Sequence, residues 1–521
     1  MITKIGLENI RLFGEREWSF KLNRLTIFCG TNSAGKSTIL KSILLLQQSQ
    51  GIYEVNPTTK SRLRFAGSQV DLGNYRALVS NNDTTRNISI SLSTQGRAAY
   101  FGISEVRELE RPNREPNRAS AYTLDARFTF THARNADAVE SQKAQSQESG
   151  MLESAEFALA QEGSKGIAWA VNSSDVKRVK TVNPYIVKIP VDVIDRFSFN
   201  RILTIGTSHD KQHYVAPVVL KGLMPESISA PLRGGTSGKA GQGKSRIDFP
   251  LPSPITRSLG NLRKSLADIH YLGPLRSPAK RYYVSSPEAP QGMDSSGDFL
   301  PSILRENEQT LVECAQPVTW DVSVVTLSAA LNRWLEYLRT GAAGRTTAVD
   351  ELRVSSTKEV LVEFELKDPG GRNLHSVADS GFGYSQVLPI LVRGLLAGRG
   401  STLIVEQPEL HLNPALQIRL AEFFISLIKS GKQVLIETHS EHIVNSVRAL
   451  AAEDVSDDIS SASSIYFVDA SGGVPEIHDL SIQPDGTVPG WPRQFFGEAL
   501  TLTSRLLAAQ KQRRSVERKA H

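Results

Sequence analysis

Two short segments that lie far apart in the chain carry residue types suited to phosphate chemistry. The first runs Gly30-Thr-Asn-Ser-Ala-Gly35-Lys36-Ser37 and fits the spacing G-x-x-x-x-G-K-[ST]. Glycines in such a loop let backbone N–H groups turn inward around phosphate oxygens at the positive end of a helix. Lys36 is expected to reach the β- and γ-phosphates of ATP, and the Ser37 hydroxyl is expected to bind Mg²⁺. The residues predicted to contact nucleotide are Gly30, Asn32, Ser33, Ala34, Gly35, Lys36, Ser37 and Thr38.

The second segment, Thr402 to Glu409, is an apolar run that ends in acidic residues. Glu406 closes the run and is expected to face Mg²⁺ or its water, so Ser37 and Glu406 are the predicted metal-binding residues. Gln407 comes next, and a glutamine can orient water but cannot accept its proton. Hydrolysis is therefore slow, or Glu409, Glu437 or His439 assists it. The predicted catalytic residues are Glu406, Gln407, Glu409 and His439.

Two more polar segments adjoin apolar ones. Gln433 to Ser440 reads as a strand followed by Thr-His-Ser, and a histidine at the carboxyl end of a strand can contact a γ-phosphate. Asp379 to Gln386 is glycine-rich and precedes an apolar helix, Val387 to Leu396, whose N-terminus can attract an anion. Its place before the Glu406 strand favours a contact from Ser385 to the ATP of a second copy of the chain. The alternative is a tight turn that binds no ligand.

The elements around these segments are those of an α/β protein. Residues 2–13 and 24–29 read as strands, and Ser37 to Gln50 carries apolar residues at helical spacing. Residues 403–405 and 434–436 are continuous apolar runs, typical of parallel strands covered on both faces. A second copy of the loop spacing, Gly238 to Ser245, follows no apolar strand and precedes a proline-rich stretch, so it is not predicted to bind nucleotide.

The middle of the chain is less regular. Ile88, Ile90 and Leu92 alternate as in a strand, and residues 124–131 look similar. Residues 133–166 are predicted to be a solvated helix or a mobile segment, and residues 225–254 a loop. Further along, one helical stripe is predicted from Val324 to Leu338, and a strand with alternating apolar residues from Val360 to Leu366.

Composition limits the classes of protein. The chain has 521 residues, 40% of them hydrophobic and 22% charged, as in ordinary globular proteins. Only Cys29 and Cys314 are present, which favours a reducing cytoplasm over a disulfide-bonded fold. No signal peptide and no membrane-spanning run are apparent, so no membrane partner is expected. A formal net charge of +6 permits contact with nucleic acid without demanding it.

The order of these motifs resembles the ABC-type AAA ATPases of the SMC and OLD group. It resembles more closely their stand-alone bacterial members, which are found in antiphage defence and in other uncharacterised operons; the ATPase subunit of the Septu system is one such relative. The motifs in question are the Gly30 loop, Gly381-Phe-Gly-Tyr-Ser385-Gln, Glu406-Gln-Pro-Glu with His411-Leu-Asn-Pro, and Thr438-His-Ser. Val70 to Gly73, Tyr271 to Arg276 and Asp485 to Phe496 fit this group as well. Gln407 departs from it, because these ATPases usually carry a glutamate there that polarises the attacking water.

The resemblance implies an ABC-type P-loop ATPase head, with mixed β-sheet and helices, interrupted by a long α+β insertion. Residues 1–94 and 266–480 are then the two parts of the head, residues 95–265 the insertion and residues 481–521 a C-terminal segment. It also implies a homodimer, or a higher oligomer, in which Ser385 of one chain faces the ATP of the other. Neither a coiled coil nor room for a nuclease domain is apparent, so cleavage would need a partner protein.

Three functions remain open at this point. The first is an ATPase that acts as sensor and scaffold for an effector such as a nuclease. The second is a DNA-bound clamp or motor for repair or maintenance. The third is a nearly inactive protein that ATP holds together, for which Gln407 is the main argument.

Overall fold

The structure is a computed structural model. It describes residues 1–51, 60–98, 120–132, 149–161, 166–173, 184–196, 212–231, 246–278, 280–281, 283–284, 295–297, 300–342, 351–357, 361–367, 374–376, 383–492 and 504–510. The second loop-like segment, Gly238 to Ser245, lies outside these residues. So do Asp379 to Phe382 of the glycine-rich segment and the Phe495-Phe496 pair.

Twenty-two strands occur in the described residues. In chain order they are β1 (Ile2–Glu8), β2 (Trp18–Lys21), β3 (Leu25–Gly30), β4 (Ile88–Ala98), β5 (Ser120–His132), β6 (Gly150–Gln161), β7 (Ile167–Ser173), β8 (Tyr185–Pro190), β9 (His213–Lys221), β10 (Met224–Pro231), β11 (Arg246–Pro250), β12 (Ile269–Leu272), β13 (Tyr283–Val284), β14 (Leu311–Ala315), β15 (Val322–Thr326), β16 (Glu351–Thr357), β17 (Leu361–Lys367), β18 (Leu374–Ser376), β19 (Thr402–Glu406), β20 (Gln433–Glu437), β21 (Ser463–Asp469) and β22 (Glu476–Leu480).

The helices complete the mixed α/β fold class, which confirms the class predicted from the sequence. They are α1 (Lys36–Gln50), α2 (Tyr75–Leu78), α3 (Val191–Arg196), α4 (Ser253–Ala267), α5 (Leu300–Asn307), α6 (Leu327–Thr340), α7 (Tyr384–Leu396), α8 (Pro414–Lys429), α9 (Glu441–Glu453) and α10 (Asp458–Ala462). A 3₁₀ turn spans Ser80–Asn82, and residues 504–510 are also helical. Within the described residues, no helix has both the length and the apolar character needed to cross a membrane.

A ten-stranded antiparallel sheet holds the N-terminal strands. Its order is β11-β10-β9-β8-β7-β6-β5-β4-β1-β2. The predicted boundary at residue 94 therefore falls inside β4, and the strands from β5 to β11 extend the sheet that β1 and β2 begin. The predicted domain limits stay a prediction, but the first part of the insertion is continuous in hydrogen bonding with the N-terminal part of the chain.

A six-stranded sheet positions the site. Its order is β12-β19-β20-β3-β21-β22, with β22 antiparallel and every other neighbour parallel. Its residues alternate between two hydrophobic cores. Phe28 and Leu435 face α1, α4 and the ten-stranded sheet, whereas Ile27 and Ile436 face the C-terminal helices. Because both faces are covered, β3, β19 and β20 are buried along their whole length, as their continuous apolar runs predicted.

Two smaller sheets complete the C-terminal half. Strand β17 pairs with β16 on one side and with β13 and β18 on the other, and β14 forms a hairpin with β15. The prediction of one helical stripe from Val324 was wrong at its start, because Val324 lies in β15 and is exposed. Helix α6 begins three residues later, after Thr326 accepts a hydrogen bond from the backbone N–H of Ala329.

Two predictions for the middle of the chain were also wrong where the structure describes it. Residues 150–161 form strand β6 rather than a helix or a mobile segment. Its buried positions alternate with small or acidic residues, which concealed the period of two in the sequence. Within the predicted loop at 225–254, β10 and β11 pair with each other, and β11 is the edge strand of the sheet. Prolines at strand ends and edges cost the sheet no ladder hydrogen bond.

Candidate nucleotide site

The loop between β3 and α1 has the backbone that a phosphate cradle requires. Gly30 and Gly35 have φ values of 132° and 100°, and Ser33 also has a positive φ of 59°. A Cβ on Gly30 would lie 2.0 Å from the carbonyl oxygen of Val468, and one on Gly35 would lie 3.1 Å from the Phe13 ring. Both positions therefore demand glycine, for conformation and for space. Helix α1 begins at Lys36, so its free N–H groups adjoin the loop.

The Lys36 side chain lies inside this loop. It is only 3% exposed, and its Nζ donates to the carbonyl oxygens of Gly30 and Thr31 at 3.2 and 2.6 Å. Burial lowers the pKa of Lys36, whereas the nearby carboxylates, chiefly that of Glu437, oppose this shift. The ammonium group is thus held among carbonyl dipoles and acidic groups beside the loop, where an incoming phosphate could replace the two carbonyls.

The remaining loop residues differ in exposure. Asn32 and Ser33 are exposed at the tip of the loop, whereas Ala34 is fully buried. The Thr38 hydroxyl is buried in α1 and accepts a hydrogen bond from Arg11 at 3.5 Å. Asn32 and Ser33 are therefore accessible to a ligand, and Ala34 and Thr38 anchor the loop to its surroundings.

Ser37 contacts a carboxylate that the sequence named only as a possible assistant. Its hydroxyl donates to Oε1 of Glu437 at 2.8 Å. Glu437 ends β20, the strand between β3 and β19, and is 4% exposed. Burial raises the pKa of Glu437, and its hydrogen bond from Ser37 and the nearby lysines oppose that shift. The predicted metal-binding serine is therefore paired with Glu437 and not with Glu406.

Glu406 lies one strand further from the loop and is held by two residues that the sequence reasoning missed. Tyr271 of β12 donates its hydroxyl to Oε1 at 3.0 Å, and Lys41 of α1 forms an ion pair with Oε2 at 3.3 Å. Glu406 is 2% exposed, and burial raises its pKa to about 7, with Lys41 opposing the shift. The carboxylate lies level with that of Glu437 on the neighbouring strand, as the register Glu406 to Glu437 requires.

Arg276 binds the same strand end from its backbone side. One guanidinium nitrogen donates to the carbonyl oxygen of Glu406 at 3.1 Å, and the side chain is 6% exposed. Burial lowers the pKa of Arg276 to about 10, and the charge of Glu409 is the main effect that opposes this shift. A signal for Arg276 was present in the Tyr271-to-Arg276 motif, but only the structure shows that it fixes the strand end.

Glu409 connects the two strand ends. Its carboxylate oxygens accept the Thr438 hydroxyl at 2.8 Å and the backbone N–H of His439 at 2.7 Å. Gln407 has a φ of 45° and donates its backbone N–H to the carbonyl oxygen of Glu437 at 2.7 Å. The loops after β19 and β20 are therefore joined by three hydrogen bonds. Each carboxylate oxygen of Glu409 thus accepts one of these hydrogen bonds, and its predicted catalytic role stays a prediction.

His439 lies at the carboxyl end of the six-stranded sheet, as predicted. Its side chain is half-buried, and burial, together with the positive charge of Lys36, lowers its pKa below the usual value. This shift favours the neutral form of the imidazole, in which one ring nitrogen carries no proton. Such a ring can accept a hydrogen bond from water as well as donate one to phosphate.

The described part of the glycine-rich segment lies at the start of α7. Gly383 has a φ of 70° and caps the helix, and Ser385 is half-buried in its first turn. A Cβ on Gly383 would lie 3.1 Å from the Leu412 side chain, which follows the Glu406 strand. No described contact joins Ser385 to the loop of its own chain. The structure thus places together Lys36, Ser37, Glu406, Gln407, Glu409 and His439, and the helix that carries Ser385 begins beside the loop that follows Glu406.

The residues at the site fit ATP with a divalent cation. The two glycines give the open backbone, Lys36 supplies a buried positive charge, and Ser37 supplies a hydroxyl at the start of α1. Oε2 of Glu437 is buried and has no hydrogen-bond partner among the described residues, so an acceptor is available beside Ser37. Hydroxyl and carboxylate oxygens are the ligands that Mg²⁺ prefers, together with phosphate oxygens.

Two protein families match separate parts of the chain, and each matched part contains residues of the site. A family described as "AAA domain" matches residues 4–174, and one described as "AAA ATPase domain" matches residues 340–444. The first match contains Lys36 and Ser37, and the second contains Glu406 and His439. No curated protein sequence matches the chain.

Solved structures of SMC heads resemble the chain weakly. An SMC head bound to the C-terminal winged-helix domain of ScpA has 11% identity and a TM-score of 0.37, covering 92% of this chain and 98% of its own. The SMC head domain from Thermotoga maritima has 10% identity and a TM-score of 0.32, with coverages of 92% and 99%. An SMC head with an extended coiled coil, bound to the C-terminal domain of ScpA derived from Pyrococcus furiosus, has 10% identity and a TM-score of 0.34, with coverages of 97% and 99%.

Proposed function

We propose that this chain is a cytoplasmic ABC-type ATPase of the SMC- and OLD-like group, which binds ATP with Mg²⁺ and hydrolyses it slowly. The observation that supports this best is the loop itself. Lys36 is buried inside it, and Ser37 binds the strand-end carboxylate of Glu437. Backbone N–H groups of the loop would bind phosphate oxygens. Lys36 would give up its hydrogen bonds to the Gly30 and Thr31 carbonyl oxygens and donate to phosphate oxygens in their place. Mg²⁺, when bound, would neutralise phosphate charge near Ser37 and Glu406.

Slow turnover follows from the groups available to activate water. Gln407 can orient a water molecule but cannot remove its proton. Both oxygens of Glu409 accept hydrogen bonds from the segment that carries His439, so Glu409 positions that segment. The His439 ring can hold the water or the γ-phosphate in place. Precise placement without a strong base supports hydrolysis at a reduced rate.

The active unit is proposed to be a homodimer, or a higher oligomer, that ATP holds together. Ser385 lies in the first turn of the apolar helix α7, in the motif that the resemblance places against the ATP of a partner chain. Release or hydrolysis of ATP then opens the dimer, because the nucleotide binds the closed form better than the open form.

The proposed role is that of a sensor and scaffold which controls a protein effector, such as a nuclease, in antiphage defence. The order of motifs in the sequence supports this role, by its resemblance to stand-alone members of the group. The alternative is a DNA-bound clamp or motor in DNA repair or maintenance, with which the net charge of +6 is compatible.

Single-turnover hydrolysis of ATP by the purified chain, with and without duplex DNA, tests these proposals. The control is Lys36→Ala, which removes the buried ammonium group. Turnover above the control establishes the ATPase, and a several-fold increase with DNA favours the clamp or motor. ATP binding without turnover above the control favours the scaffold held by ATP, and the absence of ATP binding contradicts the whole proposal.

Light scattering after size exclusion, with ATP in a non-hydrolysable form, tests the dimer. Ser385→Arg adds bulk and charge at the proposed trans contact and is expected to leave a monomer. Ser461→Arg, at an exposed position of α10, is the matched control and should still dimerise. A dimer in both variants would contradict the role of Ser385.

A further inference from the structure

Glu437 ends the strand that lies between the strand of the phosphate loop and the strand that ends in Glu406. Strand β20 lies between β3, which leads into the phosphate loop, and β19, which ends in Glu406. Its last residue pairs with Phe28 on one side and with Glu406 on the other. Glu437 therefore lies one strand nearer to the phosphate loop than Glu406 does.

The two carboxylate oxygens of Glu437 differ in their surroundings. Oε1 accepts the Ser37 hydroxyl at 2.8 Å, whereas Oε2 is buried without a hydrogen-bond partner in the described part of the chain. A carboxylate oxygen that is buried and unpaired destabilises the fold unless another group satisfies it. Glu437 is 4% exposed, so bulk water does not reach it freely.

Neither neighbouring lysine supplies that partner. Lys36 donates to the carbonyl oxygens of Gly30 and Thr31, and Lys41 pairs with Oε2 of Glu406. Both lysines act on Glu437 only through their charge. An acceptor is thus left beside Ser37, the hydroxyl to which the sequence assigns the cation.

We propose that Glu437 is a ligand of the divalent cation that enters with ATP, directly or through a bound water, and that its Oε2 is the contacting atom. The cation then has two protein carboxylates, Glu437 and Glu406, where the sequence reasoning assigned one. This inference rests on the proposed binding of ATP. It fits Mg²⁺, which proteins commonly hold with one or two carboxylates while phosphates and waters complete the octahedron.

Binding of Mn²⁺, followed by the electron paramagnetic resonance signal of the free ion, tests the inference without hydrolysis. The chain is titrated with Mn²⁺ in the presence of a non-hydrolysable ATP analogue. Glu437→Gln is expected to weaken Mn²⁺ binding by at least roughly tenfold, the range seen when groups that support a metal are removed. The matched control is Asp469→Asn, which also removes one acid beside the loop, where Asp469 accepts the Thr31 hydroxyl. It should leave Mn²⁺ affinity unchanged.

Binding of the same analogue in EDTA separates a lost ligand from a damaged fold. Without a cation, Glu437→Gln should bind the analogue as well as the wild type or better, because a negative charge near the phosphates is gone. Weakening in both conditions would mean a damaged loop and would overturn the inference. Unchanged Mn²⁺ affinity with reduced turnover would overturn it too, since Glu437 would then act on water and not on the cation. A wild-type chain that binds no analogue in either condition would refute the ATP proposal as well.

Discussion

Gly30→Ala is the substitution whose effect the geometry fixes most closely. The added Cβ would lie 2.0 Å from the carbonyl oxygen of Val468 and 2.8 Å from its carbonyl carbon and its nitrogen. These are backbone atoms of β21, which pairs with β3, so no flexible side chain can move aside. The residue would also keep a φ of 132°, which costs a residue other than glycine about 1 to 3 kcal/mol. Overpacking against a fixed neighbour adds about 1 to 3 kcal/mol.

The expected loss is therefore about 2 to 6 kcal/mol in the free energy of unfolding, a large part of the stability of a typical domain. Urea denaturation followed by circular dichroism measures it from the shift of the midpoint. Binding of the ATP analogue should be lost as well, because the Thr31 N–H donates to the carbonyl that the new methyl group displaces.

Gly472→Ala is the matched control for this change. Gly472 lies in the turn after β21, and a Cβ there would meet no heavy atom within 4 Å. Its free energy of unfolding should change by no more than about 0.5 kcal/mol. If Gly30→Ala proved as stable as Gly472→Ala, the pairing of β3 with β21 at the start of the loop would be refuted.

Three other substitutions test single contacts. Burial raises the pKa of Glu406 from 4.5 to about 7, so the folded state holds this proton more tightly than the unfolded state, and stability falls as pH rises through that range. Glu406→Gln should remove about 3 kcal/mol of this dependence between pH 4.5 and 8, measured by urea denaturation; an unaltered slope would contradict the assignment. Tyr271→Phe leaves Oε1 of Glu406 unpaired and should cost about 1 to 3 kcal/mol at pH 8 but less at pH 5, where the carboxyl is neutral; equal losses at both pH values would argue against it. Asn413→Ala removes the cap that accepts the Leu416 N–H at 3.0 Å and should cost about 1 kcal/mol by the same assay, whereas Asn445→Ala, at an exposed position, should cost less.

Local patterns were sufficient to predict the elements that carry the site. The apolar residues that lead into Gly30 and the helical spacing after Lys36 lie within a single short window, and the strand, loop and helix were found where predicted. The buried strands β19 and β20 could also be predicted, because parallel strands in a sheet that is covered on both faces have continuous apolar runs.

Local sequence patterns could not predict which residues contact Glu437 and Glu406. The pairing of Ser37 with Glu437 depends on the order of strands in the sheet, which places β20 next to β3 although some 400 residues separate them in sequence. The same holds for Tyr271, which reaches Glu406 only because β12 pairs with β19. Strand β6 escaped prediction for another reason, since alanine and serine on its outer face weaken the alternation that identifies a strand.

The position of β3 between β20 and β21 also sets the order of events during synthesis on the ribosome. All six residues of β3 are buried, yet both strands that flank it are made roughly 400 residues later, roughly 20 to 80 s at bacterial or eukaryotic elongation rates. Strands β1, β2 and β4 to β11 find their partners early, so the ten-stranded sheet can form first. Strand β3 then lacks both of its partner strands, and the face that carries Ile27 lacks the C-terminal helices that cover it in the folded chain. Protease digestion of chains stalled before and after residue 470 should show β3 becoming protected only in the longer ones.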